Sequence, residues 1–287
     1  WEYARTHPAF DETSMDRIGL WEADGSIVGV ATYELQLGEA FLNVARGYEY
    51  LKLEMLDYAE DRLAAEESGV AGGASDAGEP GVAGAPVEVA KNGDRGARRT
   101  LAVFVNGFDA DLASVVEERG YRREERGDRP MAILPTPEPP PAPALPAGFR
   151  LQTLAEENDL RKVDRVLWRG FGHEGEPPGD GIEDRKRMQS GPNFRHDLTV
   201  VAVEPGGEYV AFCGMWYDPD NRISYVEPVA TDPDYRRQGI GKATVTEGVR
   251  RCAMKGATVS FVASLLPIYR SVGFSKSYVA ECWVRRF

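Results

Sequence analysis

Residues Val229–Ala243 read VATDPDYRRQGIGKA. Small and β-branched residues open the stretch, an Asp-Pro-Asp turn interrupts it, and Arg-x-x-Gly-x-Gly leads into a helical pattern. Ile240, Val245, Val249 and Cys252 form one apolar stripe, and Gly256 stands where a helix C-cap glycine belongs. The spacing predicts a strand, a loop and a helix from about Gly239 to Lys255. The chemistry of that junction is anion binding. Gly239 and Gly241 let the backbone approach a phosphate with no Cβ in the way. The amides of Gln238, Gly239, Ile240 and Gly241 point out of the helix N-terminus, where the helix dipole adds positive potential. Arg236 and Arg237 supply charge, and Lys242 follows in the helix. Two nucleotide motifs are excluded. A P-loop needs Gly at 236 and Ser or Thr at 243, where Arg and Ala stand, and Thr244 breaks a G-x-G-x-x-G.

Elements alternate on both sides of this segment. Strands are predicted at Phe149–Leu154, Asp197–Val203, Tyr209–Tyr217, Ile223–Thr231, Thr258–Val262 and Tyr278–Arg285. Helices are predicted at Asn158–Gly170, where Leu160, Val163, Val166 and Leu167 repeat at helical spacing, and around Pro267–Ser271. Pro228 within the third strand implies a bulge or an edge.

Composition narrows the class. Acidic residues number 46 against 34 basic, a net charge of −12 that argues against a nucleic-acid partner. No apolar run reaches the roughly 18 residues of a membrane span. Three scattered cysteines form no framework or zinc cluster and suit a reducing, cytoplasmic compartment. Three histidines show no metal-ligand spacing, so no metal is expected. The 31 glycines and 19 prolines collect in two places. Residues 68–99 read as a flexible insertion. Residues 135–147, PTPEPPPAPALPA, read as a polyproline linker between units 1–134 and 148–287.

The strand, the Val/Ala-x-Pro-x-Tyr and the Arg-x-x-Gly-x-Gly resemble motif A of the GCN5-related N-acetyltransferase (GNAT) superfamily. Pro267-Ile268-Tyr269-Arg270-Ser271-Val272-Gly273-Phe274 resembles its P-x-Y-x-x-x-G-F signature. The resemblance implies that the loop holds the pyrophosphate of acetyl-CoA. It also implies that the strand end Val229, Ala230, Thr231 pairs with the pantetheine amides. Tyr269 then protonates the leaving thiolate. The short SLL before Pro267 lacks the family's common Asn, so one aid to placing the pantetheine is missing. Glu227 is the candidate base, alternation putting 227, 229 and 231 on one face; its other reading is a glutamate at a sheet surface. The resemblance places the acceptor site within Trp168–Asn193 and neighbouring strand ends. Trp168, Phe171, His173, Glu174, Trp216 and Tyr217 are the candidates, and each also reads as core or rim packing.

The first half repeats the second. Trp21–Ala31 reads strand–turn–strand, and Ala40–Glu60 reads strand then helix. Aligning Tyr48 with Tyr235 puts Glu49, Lys52 and Glu54 opposite Arg236, Gly239 and Gly241. Aligning Gly120 with Gly273 puts Val116 opposite Tyr269. The first half thus reads as the same fold without phosphate loop or general acid. That plan resembles tandem members of the superfamily with one degenerate half, of the mycothiol synthase type. The expected fold is α/β (α+β), with two GNAT-like units, each a mixed, mainly antiparallel sheet flanked by helices. The expected activity is acetyl transfer from acetyl-CoA to a primary amine of a small molecule, by a monomer or homodimer. A non-catalytic acyl-CoA sensor and a protein N-acetyltransferase stand as alternatives.

Overall fold

The computed structural model describes residues 2–7, 9–66, 99–179 and 181–287. The expected insertion therefore lies outside the described residues, apart from Arg99.

The first half runs α1 (Glu2–Thr6), β1 (Gly19–Ala23), β2 (Ser26–Thr32), β3 (Glu39–Val44), α2 (Lys52–Arg62), β4 (Ala65–Glu66), β5 (Arg99–Asn106), α3 (Ala110–Glu118), β6 (Arg122–Arg123) and β7 (Arg129–Pro135). The second runs β8 (Arg150–Thr153), α4 (Leu160–Gly170), α5 (Gly181–Gln189), β9 (Val200–Val203), β10 (Tyr209–Asp218), β11 (Ile223–Thr231), α6 (Ile240–Met254), β12 (Val259–Val262), α7 (Pro267–Val272) and β13 (Ser275–Arg286).

Local chemistry explains the boundaries. Asp24 and Gly25, both at positive φ, close the β1–β2 hairpin. Asp159 caps α4 by accepting from the amides of Arg161 and Lys162. Gly256 ends α6 at φ +107°, with the Ala257 amide donating to the Cys252 carbonyl. The helix α5 was not expected. Its GIEDRKRMQ has little apolar character, and it is held instead by Arg185 Nε on Asp164 Oδ1 at 3.0 Å.

The strands form one sheet in the order β1-β2-β3-β5-β13-β7-β12-β11-β10-β9-β8. β3 pairs with β5, and β11 with β12, in parallel; the other pairings along this order are antiparallel. The strands do not sort by the Pro-rich boundary. β7 lies between β12 and β13, and β13 lies between β5 and β7. Each half therefore ends in a strand that completes the parallel pair of the other. The two expected sheets are one.

The repeat is visible in the backbone. Tyr121 N donates to Val116 O at 3.0 Å, and Phe274 N donates to Tyr269 O at 3.0 Å. Gly120 and Gly273 sit between at φ +85° and +120°. Val116 thus occupies the position of Tyr269.

Burial follows the layers. In the first half, Tyr33, Met55, Leu56, Leu101, Val103 and Val116 form the core beneath α2 and α3. In the second half one face packs Met215, Val226, Val245, Val249 and Tyr269 against α6 and α7. The other face packs Phe212, Trp216 and Ala230 against Val163, Val166 and Leu167 of α4. Beyond Pro135, which ends β7, the Pro-rich stretch forms neither helix nor strand, but it is docked: Thr136 N donates to Thr258 O at 2.8 Å, and Leu145 packs with Ile240. Among the described residues, no helix is long and apolar enough to cross a membrane.

Candidate active site

The glycine loop is built where β11 meets α6. Asp232 is 1% exposed and accepts from Arg169 Nε and Nη2 at 2.6 and 3.0 Å, which pins the end of α4 to the loop. Burial alone would raise the Asp232 carboxyl, but Arg169 and the Asp234 amide outweigh it and hold it below the usual range. Arg237 and Gly239 take positive φ, +64° and +80°, and α6 starts at Ile240, which is fully buried. A Cβ on Gly241 would stand 2.5 Å from Thr231 Oγ1, so the helix end and the strand end meet with no room to spare.

One expectation about facing changes here, and Arg236 has backbone partners that its charge did not disclose. Its Nε donates to Thr231 O at 3.0 Å and its Nη2 to Gly170 O at 2.6 Å. It ties the strand end to α4. Arg237 and Lys242 remain exposed beside the helix start, and Gln238 Nε2 reaches Asp234 O at 3.4 Å. The alternation of 227, 229 and 231 does not run through β11. Its register against β10 shifts at Glu227–Pro228, so Val226 and Val229, three apart, both join the α6-side core. The expected bulge at Pro228 is present.

The β11–β12 ladder spans only Ile223–Tyr225 against Val259–Phe261, and the two strands part beyond it. Past it, β11 runs into the glycine loop and β12 leads to α7, whose Ile268 comes up against Gly241. Tyr269 of α7 and Glu227 of β11 are both buried, at 4% exposure, and they interact electrostatically. Burial first, then the Glu227 carboxylate, raises the Tyr269 phenol far above its ordinary range, so it keeps its proton.

A cavity of about 470 Å³ is connected to Glu227 through two of its lining residues, Trp216 and Tyr225. The second half supplies Trp216, Tyr217, Asp218, Ile223 and Tyr225, and the first half supplies Thr32, Tyr33, Glu34, Phe41 and Asn43. Trp216 joins wall to site, because its Nε1 donates to Glu227 O at 2.9 Å. Tyr225 does so too: its hydroxyl is raised by burial and by the charges of Glu227 and Glu34. Of the expected acceptor residues, Trp216 and Tyr217 line the cavity. Trp168, Phe171 and His173 do not. Trp168 and His173 stack on each other at 4.1 Å, and Trp168 Nε1 donates to Glu174 O. Their loop follows Gly170, which packs against Ala230 and Thr231 at the far end of β11 from Ile223 and Tyr225. The first-half wall was missed. Its signal was the repeat itself, since Thr32-Tyr33-Glu34 parallels Trp216-Tyr217-Asp218.

The first half lacks the loop chemistry. Glu49 Oε2 accepts from Gly47 N at 2.9 Å, and Lys52 pairs with Asp109 at 2.5 Å. Among the described residues, no group of three or more His, Cys, Asp or Glu is arranged to hold a metal ion.

Residues 160–274 match the acetyltransferase (GNAT) family model. The match covers α4 through the glycine loop, α6 and α7 of the second half, and the strand-exchanged first half repeats that backbone plan. It is 26% identical over 200 residues to a mycothiol acetyltransferase of Saccharomonospora viridis, covering 65% of this chain and 63% of the relative. It is 28% identical over 155 residues to a mycothiol acetyltransferase of Thermobispora bispora, covering 50% of this chain and 52% of the relative. The chain therefore matches less than two thirds of either relative's length. Among solved structures, the fold resembles a GCN5-related N-acetyltransferase from Sphaerobacter thermophilus, with TM-score 0.59, 18% identity, 92% of this chain and 78% of that one. It also resembles a tandem GNAT protein of the clavulanic acid pathway, with TM-score 0.57, 13% identity, 99% of this chain and 87% of that one. At these identities the likeness concerns the fold.

Proposed function

We propose that this chain transfers an acetyl group from acetyl-CoA to a primary amine of a small molecule. The observation that carries the reading is the parting of β11, which runs into the glycine loop, from β12, which leads to Tyr269, with Glu227 connected to a cavity walled by both halves. A volume of about 470 Å³ falls in the size range of small-molecule sites.

The residues fit acetyl-CoA. The amides of Gln238–Gly241 are aimed out of a 15-residue helix, at a place where no side chain fits on Gly241. They hold the pyrophosphate, with Arg237 and Lys242 as counter-charges. Arg236 acts at one remove, by fixing the Val229–Thr231 backbone that receives the pantetheine. When bound, acetyl-CoA supplies an activated acyl thioester. The rest falls to the chain. Trp216 and Tyr225 exclude water and orient the amine, and Glu227 takes the amine proton. Tyr269 then gives its proton to the departing thiolate.

The order of these two transfers follows from their coupling. While Glu227 is ionised, it makes a phenolate at Tyr269 more costly. Once Glu227 is protonated that repulsion vanishes, so Tyr269 becomes a better acid just as the thiolate leaves.

The decisive experiment incubates the full chain with acetyl-CoA and a panel of amines. Thiol release is followed together with product mass. Acetylated amine at a rate abolished by Glu227→Gln is expected. Tight CoA binding with no transfer to any amine would leave the sensor reading standing instead.

A further inference from the structure

The cavity wall follows the repeat. Thr32 pairs with Phe41, which pairs in parallel with Phe104; Trp216 pairs with Tyr225, which pairs in parallel with Phe261. The register therefore matches Thr32 to Trp216 and Phe41 to Tyr225, and the chain continues as Tyr33-Glu34 in one half and Tyr217-Asp218 in the other. All eight of these residues line the cavity. Each half presents a triplet that starts on the matched rung, and each triplet ends in a carboxylate. Among the described residues, no Lys, Arg or His lines the cavity.

The two carboxylates are not equivalent. Asp218 spends both oxygens on its own turn, accepting from the amides of Asp220 and Asn221 and from Asn221 Nδ2. It contributes field rather than contact. Glu34 is paired from behind by Arg129, but Arg129 also holds Glu39 at 2.7 Å and lies over the Phe104 ring at 3.9 Å. Two carboxylates share one guanidinium; burial raises the Glu39 carboxyl, so Glu34 is the acidic group of this cluster that a ligand can meet. The Glu34 side chain remains 25% exposed, which leaves it within reach of a ligand. Aromatic walls lower the local dielectric and strengthen its pull on a cation.

A monoamine leaves this charge unanswered, because its one ammonium must lose its proton near Glu227 to react. We propose that the acceptor carries a second protonated amino group, held by Glu34 of the first half while the reacting amine lies beside Tyr225. The substrate class is a small di- or polyamine, and Glu34 is its specificity-determining residue. The inference rests on the acetyltransferase reading for the identity of the cavity as an acceptor site.

Binding tests it without requiring turnover. Putrescine and n-butylamine are titrated calorimetrically into the full chain at neutral pH and low salt. Putrescine is expected to bind at least about tenfold tighter, as one charge-assisted contact allows. Glu34→Gln is expected to bring the two amines within about twofold, and Glu34→Asp to keep part of the preference. Circular dichroism and unchanged CoA affinity identify folded variants; if neither variant folds, the wild-type comparison decides alone. Equal affinities, no putrescine binding, or a preference that survives Glu34→Gln would overturn the proposal. Diamine preference without thiol release would uphold this recognition and sink the acetyltransferase reading. Equal kcat/KM for both amines would do the reverse.

Discussion

Gly241→Ala places one methyl group in the tightest contact of the cradle. The new Cβ would stand 2.5 Å from Thr231 Oγ1 and 3.1 Å from Ile268 Cδ1, against an ordinary contact of 3.4 Å or more. Ile268 has a flexible end and gives the few tenths required. The other gap must open by about 0.9 Å, the difference between 3.4 and 2.5 Å. Thr231 cannot slide, because its backbone pairs with Ala211 and its carbonyl is held by Arg236. Either its side chain leaves its rotamer, at roughly 0.5–1.5 kcal/mol, or the start of α6 lifts away. Overpacking of this kind costs about 1–3 kcal/mol, and replacing a helical glycine returns about 1 kcal/mol. The net loss of about 0–2 kcal/mol lowers Tm by a few degrees. A lift of that size exceeds the tolerance of a hydrogen bond. One charge-assisted bond lost weakens CoA binding about tenfold or more. Calorimetric Kd values and thermal melts on wild type, Gly241→Ala, Thr231→Ala and the double variant measure this. The double variant removes Oγ1 and is expected to recover most of the affinity. Wild-type affinity in Gly241→Ala, or no recovery in the double variant, would refute the reasoning.

Three further outcomes follow from the site. Tyr269→Phe is expected to lower kcat by about 10²–10⁴ while CoA affinity and Tm stay near wild type; full turnover across the pH range would remove Tyr269 from the mechanism. The Arg169 guanidinium and the Asp234 amide hold the folded Asp232 carboxyl below its ordinary range, so the unfolded chain protonates first as pH falls. The stabilisation is complete above the unfolded pKa and is lost as pH falls through the folded one. Asp232→Asn should therefore destabilise at pH 7 and flatten the acid limb of a melt series, and parallel acid limbs would contradict this. Titration of CoA is expected to saturate at one molecule per chain, because Glu49 and the Lys52–Asp109 pair close the first-half loop; a second site of similar affinity would show that closure to be incomplete.

What the sequence disclosed was local. The α4 stripe, the Gly256 cap and the Gly241 cradle each depend on residues a few positions apart, and each stands where the spacing puts it. What it concealed depends on partners far along the chain. The charge of Arg236 was legible, but its engagement with Thr231 O and Gly170 O was not. Strict alternation placed Glu227 with Val229, and the register shift against β10 broke it. Trp168, Phe171 and His173 were chosen because they are aromatic or titratable near the first helices. The cavity instead forms where β2–β3 approach β10–β11, a meeting that depends on long-range pairing.

The swapped strands have a consequence for how the chain can be divided. A cut in the Pro-rich segment would strip β13 from β5 and leave the seven rungs Thr100–Asn106 with an open edge. It would strip β7 from β12, opening the four rungs Val259–Val262. Bare edges of that length invite aggregation. Either piece made alone is expected to be insoluble, and making both together to restore soluble protein. The exchange also acts as a ratchet on the gene. Once each copy's last strand served the other's sheet, neither copy could be discarded, and a half without a phosphate loop or general acid is retained for the strand it lends as well as for the wall it builds.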